Sequence, residues 1–277
     1  MRNAIALSLV LAACSYTPPA DPLLGVDSVL PSDPNDPVDP LPDGPGDPDA
    51  PPQGTCTTSD SSLRLCLELE DSTSTAALDG SGQGHHAQVT GATATERDVP
   101  SVSRALQLGG TSAIMIGDTP DFDVQTLTIS AWVKRSSAPT IGQRFGVVDV
   151  GSKQAALAID SQGRVVCMVR TDFDVWVGTG FAATSVNEWS LVACTYDAPD
   201  LCMYTFKAGS SNPDVECGQT DGEPLDMSID SGGTIGALFD NANQPTSKFA
   251  GSIDSIRVYS RALTETQLCT AGGLSGC

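Results

Sequence analysis

The side chains able to do chemistry are few. Two histidines, His85 and His86, are the only imidazoles in the 277-residue chain, and they are adjacent. A Ser-His-Asp relay would have to use one of them, and no Gly-x-Ser-x-Gly elbow presents a serine. As neighbours on a strand they would point to opposite faces, so they chelate a transition metal poorly and fit a surface loop better. Carboxylates are the second reagent. Glu68 and Glu70 alternate onto one face of Leu63-Arg64-Leu65-Cys66-Leu67-Glu68-Leu69-Glu70, the placement an acid pair for glycoside hydrolysis requires. A solvated or cation-facing strand edge is the simpler reading of the same pair.

Cysteine is the third reagent, and the chain has nine. Met1 and Arg2 precede an apolar run, Ala4 to Ala13, broken only by Ser8 and too short to span a bilayer. The run ends in Leu11-Ala12-Ala13-Cys14. This resembles the bacterial lipobox, in which the thiol is acylated and becomes the mature N-terminus, so residues 1–14 are expected to be a lipoprotein signal segment with Cys14 as the lipidation site. Ser15 rather than Asp follows, which implies the outer membrane. Removing Cys14 leaves an even set in an exported chain: Cys56, Cys66, Cys167, Cys194, Cys202, Cys217, Cys269 and Cys277. Such a set reads as disulfides, and no Cys-x-x-Cys spacing suggests redox or zinc chemistry. By spacing, Cys56 and Cys66 flank the first strand, Cys202 and Cys217 bracket a hairpin, and Cys269 and Cys277 flank a Gly-rich end.

The elements that must position these groups start after a composition boundary. Residues 15–55 hold eight aspartates and no Lys or Arg, with Asp-Pro recurring at 33–34, 36–37, 39–40 and 47–48. Proline breaks ladders and like charges repel, so this segment is expected to be a disordered stalk. The formal charge of the chain is −20. That surface repels phosphate backbones and anionic lipid, which excludes nucleic acid and leaves the lipid anchor as the membrane link. From residue 56 to 277 the pattern is short alternating runs separated by turn signals. Strands are predicted at 63–70, 105–108, 127–134, 146–150, 155–159, 164–170, 189–196, 202–206, 234–236 and 252–259. One short helix is predicted at 264–268, with Thr264 as N-cap and Gln267 three residues on. The fold class is all-β, an antiparallel β-sandwich.

Five motifs then occur in order: Asp79-Gly80-Ser81-Gly82-Gln83-Gly84, Ala105-Leu106-Gln107-Leu108-Gly109-Gly110, Leu127 to Lys134, Asn187-Glu188-Trp189, and Gly251-Ser252-Ile253-Asp254-Ser255-Ile256-Arg257-Val258-Tyr259-Ser260-Arg261-Ala262-Leu263-Thr264. Together they resemble the laminin-G-like, concanavalin A-like jelly-roll domains of bacterial surface proteins. The resemblance runs from Leu63 to Leu268. It departs at Lys207-Ala208-Gly209, where the family's hairpin turn is Asp-Gly. It implies that Cys167 and Cys194 sit on neighbouring strands of one sheet and pair. The competing set joins Cys194 to Cys202 and Cys167 to Cys217. It also implies a structural calcium joining the first and last strands. Strand alternation places Asp254 on the face of Ile256 and Val258, toward the core, where a carboxylate needs a partner. Asp254, Asp79 and Glu70 are the candidate metal ligands, with a carbonyl of Ser81 or Gly84; a turn cap is the alternative for Asp254. Glycosidases of this class carry Glu-x-Asp-x-x-Glu on one strand, and Glu68-Leu69-Glu70-Asp71 lacks the third acid. Trp132 and Trp189 are expected in the core. Trp176, in the stretch Asp172 to Gly178, is the candidate ligand platform, with Asp172 and Asp174 as hydrogen-bond acceptors; a packed edge residue is its other reading. The expected function is a non-catalytic surface module that recognises a glycan or a protein. A carbohydrate-active hydrolase or a structural envelope component is the alternative.

Overall fold

Successive side chains of each strand point to opposite faces, and in the central strands of one sheet both faces are buried. The computed structural model describes residues 56, 59–70, 72, 75–151, 154–171, 175–226, 232–240 and 242–277. Cys14, the segment 15–55, Asp172 and Asp174 lie outside the described residues. The strands run β1 (Leu63–Leu67), β2 (Ala76–Ala77), β3 (Ala87–Thr90), β4 (Thr93–Arg97), β5 (Ser103–Leu108) and β6 (Ala113–Ile116). Next come β7 (Leu127–Arg135), β8 (Arg144–Val150), β9 (Ala155–Asp160), β10 (Arg164–Arg170), β11 (Val175–Ala183) and β12 (Ser190–Asp197). The last are β13 (Asp200–Lys207), β14 (Asp214–Gln219), β15 (Gly233–Ile235), β16 (Leu238–Phe239), β17 (Pro245–Thr246) and β18 (Gly251–Tyr259), followed by α1 (Glu265–Ala271).

Two antiparallel sheets form the sandwich. One has the order β14-β13-β12-β7-β18-β5-β4, with β1 also on β18; the other has the order β11-β10-β9-β8-β15-β6-β3-β2. β16 and β17 make a separate small ribbon. Strand β7 shows how the sequence is used. Leu127, Ile129, Ala131 and Val133 enter the core between the sheets, beside Leu157, Val192, Ile253 and Ile256. Its other face carries Trp132, which joins Leu63, Trp189, Leu191, Phe206, Leu263 and Leu268 in a second core on the outside of the sheet. The C-terminal segment covers that face. Thr128 Oγ1 donates to Arg261 O (2.8 Å) and accepts from Leu263 N (2.9 Å), and Trp132 Nε1 donates to Gly272 O (3.0 Å). Helix α1 has the expected capping box: Gln267 N donates to Thr264 Oγ1 (3.3 Å) and Thr264 N donates to Gln267 Oε1 (3.0 Å). It runs three residues beyond the expected end, because Leu268 and Cys269 are buried under it.

The disulfides are Cys56–Cys66, Cys167–Cys194, Cys202–Cys217 and Cys269–Cys277. Cys202 and Cys217 face each other across β13 and β14. The expectation that Cys167 and Cys194 lie on neighbouring strands of one sheet is corrected. They sit on β10 and β12, one in each sheet, and staple the sandwich through its core.

Two further expectations change. Strand β1 ends at Leu67, not at Glu70, because Leu69 takes a left-handed conformation (φ 64°) that ends the ladder. The stretch expected as a loop at 172–178 continues from Val175 as the edge strand β11. Its outward side chains Val175, Val177 and Phe181 are exposed, so the usual polar-out signal is inverted. The glycines face inward: a Cβ at Gly178 would lie 2.6 Å from Met203 Sδ.

Candidate ligand-binding site

The residues singled out as metal ligands do not form one site. Asp254 is fully buried, but on the other face from the one alternation predicts. The reason is a bulge at Ser255 (φ 48°), where the register of β18 against β7 shifts between Asp254 and Arg257. The extra residue returns Ile256 and Val258 to the main core and turns Asp254 outward, opposite Trp132. There Asp254 Oδ2 accepts from Arg97 Nε (2.6 Å) and Ser103 Oγ (2.5 Å), and Oδ1 accepts from Ser255 N (2.6 Å). The guanidinium of Arg97 takes the role expected of a cation. It lies 5.0 Å from the centre of the Trp132 ring and also donates to Val99 O (2.8 Å) and Ser255 Oγ (3.3 Å). Ser255 Oγ donates on to Glu68 (2.9 Å), which is ion-paired with Arg257. A fully buried ion pair and a partly buried one are thus joined through one hydroxyl.

Asp79 organises the loop of the first motif. Oδ1 accepts from Cys66 N (2.9 Å) and Ser81 N (3.0 Å), and Oδ2 accepts from Ser81 Oγ (2.7 Å) and His85 N (2.9 Å). A carboxylate has about four acceptor positions, so these donors saturate it. Burial alone would raise its pKa, but the N–H groups of Cys66, Ser81 and His85 and the Ser81 hydroxyl hold the carboxyl below its ordinary value. Glu70 is exposed and accepts from Arg104 N at 3.2 Å. Among the described residues, the Asp, Glu, Cys and His side chains that converge at ligand distance are Cys56, Cys66 and Glu68, two of them in a disulfide. The histidines are held apart from one another's chemistry as well. His86 Nδ1 accepts from Asp79 N (3.0 Å), and His85 Nε2 lies 2.9 Å from Asp121 Oδ2. Trp176 is half-buried and packs on the main core, as an edge residue does.

A different set of residues surrounds a groove of about 740 Å³. Its walls are the connection between β7 and β8, from Ala138 to Gln143, and the chain from Thr246 to Lys248 after β17. The floor is rigid. Gly146 N donates to Ser247 O (2.7 Å), Gly236 N to Val147 O (2.8 Å) and Phe249 N to Gly236 O (2.8 Å). The Phe145 and Phe249 rings meet edge to face at 5.7 Å. Glycine is required at 146, since a Cβ there would lie 2.2 Å from the Ala237 carbonyl carbon. Thr140, Gln143, Arg144, Ser247 and Lys248 are the polar residues that line this groove. Arg144 Nη1 lies 3.1 Å from Met168 Sδ, and neither Arg144 nor Lys248 is in an ion pair among the described residues.

Residues 108–269 match the concanavalin A-like lectin/glucanases superfamily over more than half of the chain. The chain belongs to this superfamily. Domain 4 of AbnA, a GH43 extracellular arabinanase from Geobacillus stearothermophilus solved in complex with arabinotriose, superposes with a TM-score of 0.56 at 17% identity, over 76% of this chain and 98% of that domain. The binding domain of botulinum neurotoxin DC in complex with SialylT gives 0.53 at 12% identity, over 77% and 51% of the two chains. The same binding domain in complex with rat synaptotagmin II gives 0.52 at 12% identity, over 75% and 50%. The jelly roll thus spans about half the length of the toxin binding domains. At these identities the likeness establishes a shared fold. No match to this chain is found among curated protein sequences.

Within this jelly roll, the groove is what sequence reasoning missed. Arg144 opens a strand and Lys248 lies between two others. No spacing links them, and only the return of the chain through Phe249 beside Phe145 brings them to one place.

Proposed function

We propose that this jelly roll is a non-catalytic binding module, carried at the bacterial outer membrane by a lipid on Cys14, that recognises a glycan or a surface protein. The groove carries the reading: side chains with unused hydrogen-bonding capacity converge over a floor fixed by backbone bonds, which is how a preorganised site limits the entropy lost on binding. Fold neighbours solved with arabinotriose, SialylT and synaptotagmin II are consistent with it. A non-catalytic role is supported by the acids. Glu68 is tied to Arg257, and the strand ends before Glu70, so the two do not share the ladder face that acid-pair chemistry uses.

Presented to an array of glycans and surface proteins, the full-length protein should bind selectively, and Gln143→Ala should weaken the interaction. Shortening of a bound polysaccharide would replace this reading by that of a hydrolase. Failure to bind any member would favour a structural envelope component. The anchor is tested separately: wild type should incorporate a labelled fatty acid and sediment with outer membranes, whereas Cys14→Ser should do neither. Unlabelled wild type would refute the anchor.

A further inference from the structure

The groove has a charge opposite to that of the chain. The protein holds 34 Asp and Glu against 14 Lys and Arg, yet Ala138, Pro139, Thr140, Gly142, Gln143, Arg144, Phe145, Leu238, Thr246, Ser247 and Lys248 line the groove without one carboxylate. Both charged groups among them are cations. Among the described residues, Arg97, Arg164, Lys207, Arg257 and Arg261 are each matched by a carboxylate, whereas Arg64, Arg104, Lys134, Arg135, Arg144, Arg170 and Lys248 are in no ion pair. What sets Arg144 and Lys248 apart is that they share one groove, where neither donates to a protein oxygen among the described residues. The hydroxyls of Thr140 and Ser247 and the amide of Gln143 are likewise without a side-chain partner there. The groove is therefore a set of donors around a rigid floor, and the carboxylate nearest in the ladder, Asp160 opposite Arg144, is already ion-paired with Arg164.

We propose that this groove binds a glycan through an isolated carboxylate, with Arg144 and Lys248 as the anion ligands and Gln143, Thr140 and Ser247 on neighbouring hydroxyls. The inference rests on the reading of the groove as the binding site. A guanidinium fork matches a carboxylate in two parallel hydrogen bonds, and an ammonium adds a point charge. The volume of about 740 Å³ falls in the range of small-molecule sites, about 300–1,000 Å³, so it takes a short oligosaccharide segment. The net charge of −20 sets the limit on the other side. A densely charged polyanion would be repelled by the surrounding surface, whereas a single carboxylate meets only the local cations.

The probes are 3′-sialyllactose, a glucuronate-terminated trisaccharide and trigalacturonate, each beside its methyl ester, with dextran sulfate as the polyanion. The ester keeps the sugar and removes the charge, so this comparison needs no variant. At least one free acid should bind the full-length protein, its ester about tenfold or more weakly, as expected for the loss of a charge-assisted hydrogen bond. Arg144→Gln and Lys248→Gln should each reduce binding of the acid more than binding of the ester, so that the acid-to-ester ratio falls toward one. Lys207→Gln, outside the groove, should bind as wild type. Equal binding of acid and ester would overturn the inference while leaving the module reading intact. Binding of the acid that ignores both groove variants would overturn it too, as would tighter binding of dextran sulfate. Binding by none of the three acids would overturn it even if the array yields a neutral glycan.

Discussion

Arg97→Met should destabilise the folded domain by about 3–5 kcal/mol near neutral pH, the usual cost of leaving one member of a buried ion pair alone. In a domain of this size that is a fall in melting temperature on the order of 10 °C. The variant leaves the Asp254 carboxylate with Ser103 Oγ and Ser255 N only. It also removes the cation from the Trp132 face. Burial pushes the Asp254 carboxyl up from 3.8 to about 6, against the pull of Arg97 and Ser103. Between roughly pH 4 and 6 the native state therefore keeps a proton that the unfolded chain has released. The stability this titration supplies is full below the unfolded value and is lost as the pH rises through about 6. Measured as wild type minus Asp254→Asn, the difference should decline over that window. Asp60, Asp79 and Asp160 are held below their ordinary values and act in the opposite sense. The loss caused by Arg97→Met should shrink in acid, as Asp254 takes up its proton. Because a guanidinium holds this carboxylate, a chelator should leave the wild-type-minus-Asp254→Asn difference unchanged. A chelator-dependent difference would assign the charge partner to a metal instead.

Trp132→Ala should cost a similar amount, about 3–5 kcal/mol, through the cavity left by a large side chain. Trp132 is fully buried, and its indole N–H is the partner of the Gly272 carbonyl. The expected damage is local. Trp132 belongs to the outer core, with Leu263, Leu268 and Leu274, and the space between the sheets is filled without it. Hydrogen exchange should therefore accelerate most in the C-terminal segment 261–277, whereas Leu157→Ala should accelerate exchange across both sheets. Uniform acceleration in Trp132→Ala would show that the two cores do not open separately.

These two sites show what the sequence made legible and what it hid. Alternation located the long strands, and the Thr264–Gln267 pair located the helix. Parity within a strand was legible only as far as the first bulge. One residue at Ser255 reversed the facing of Asp254, and with it the identity of its partner. Arg97, the partner itself, carried no signal, since it lies in β4, a strand that the apolar pattern does not mark: four of the five residues of Thr93–Arg97 are polar or charged. Strand β11 was hidden for the converse reason, with glycines inward and valines outward. Three cysteine pairs followed from spacing and the Cys167–Cys194 pair from the family resemblance, but the sheets that Cys167 and Cys194 join did not, because strand order is a property of the whole chain.

The Cys56–Cys66 bond also sets how the domain answers a pull. Lys248 at the groove lies just before β18, and β18 is laddered to β1 with Cys66 opposite Arg257. Tension between Cys56 and a ligand held at Lys248 reaches β1 through the disulfide, inside that ladder, bypassing residues 57–65. Interstrand hydrogen bonds in an antiparallel pair lie across the strand direction, so the pull shears several at once. Without the disulfide the same force would arrive at Leu63, which pairs with Tyr259 at the end of the ladder away from Lys248, after first stretching residues 57–62. A small covalent loop at the start of the fold thus takes residues 57–65 out of the path of the load and hands it directly to the ladder.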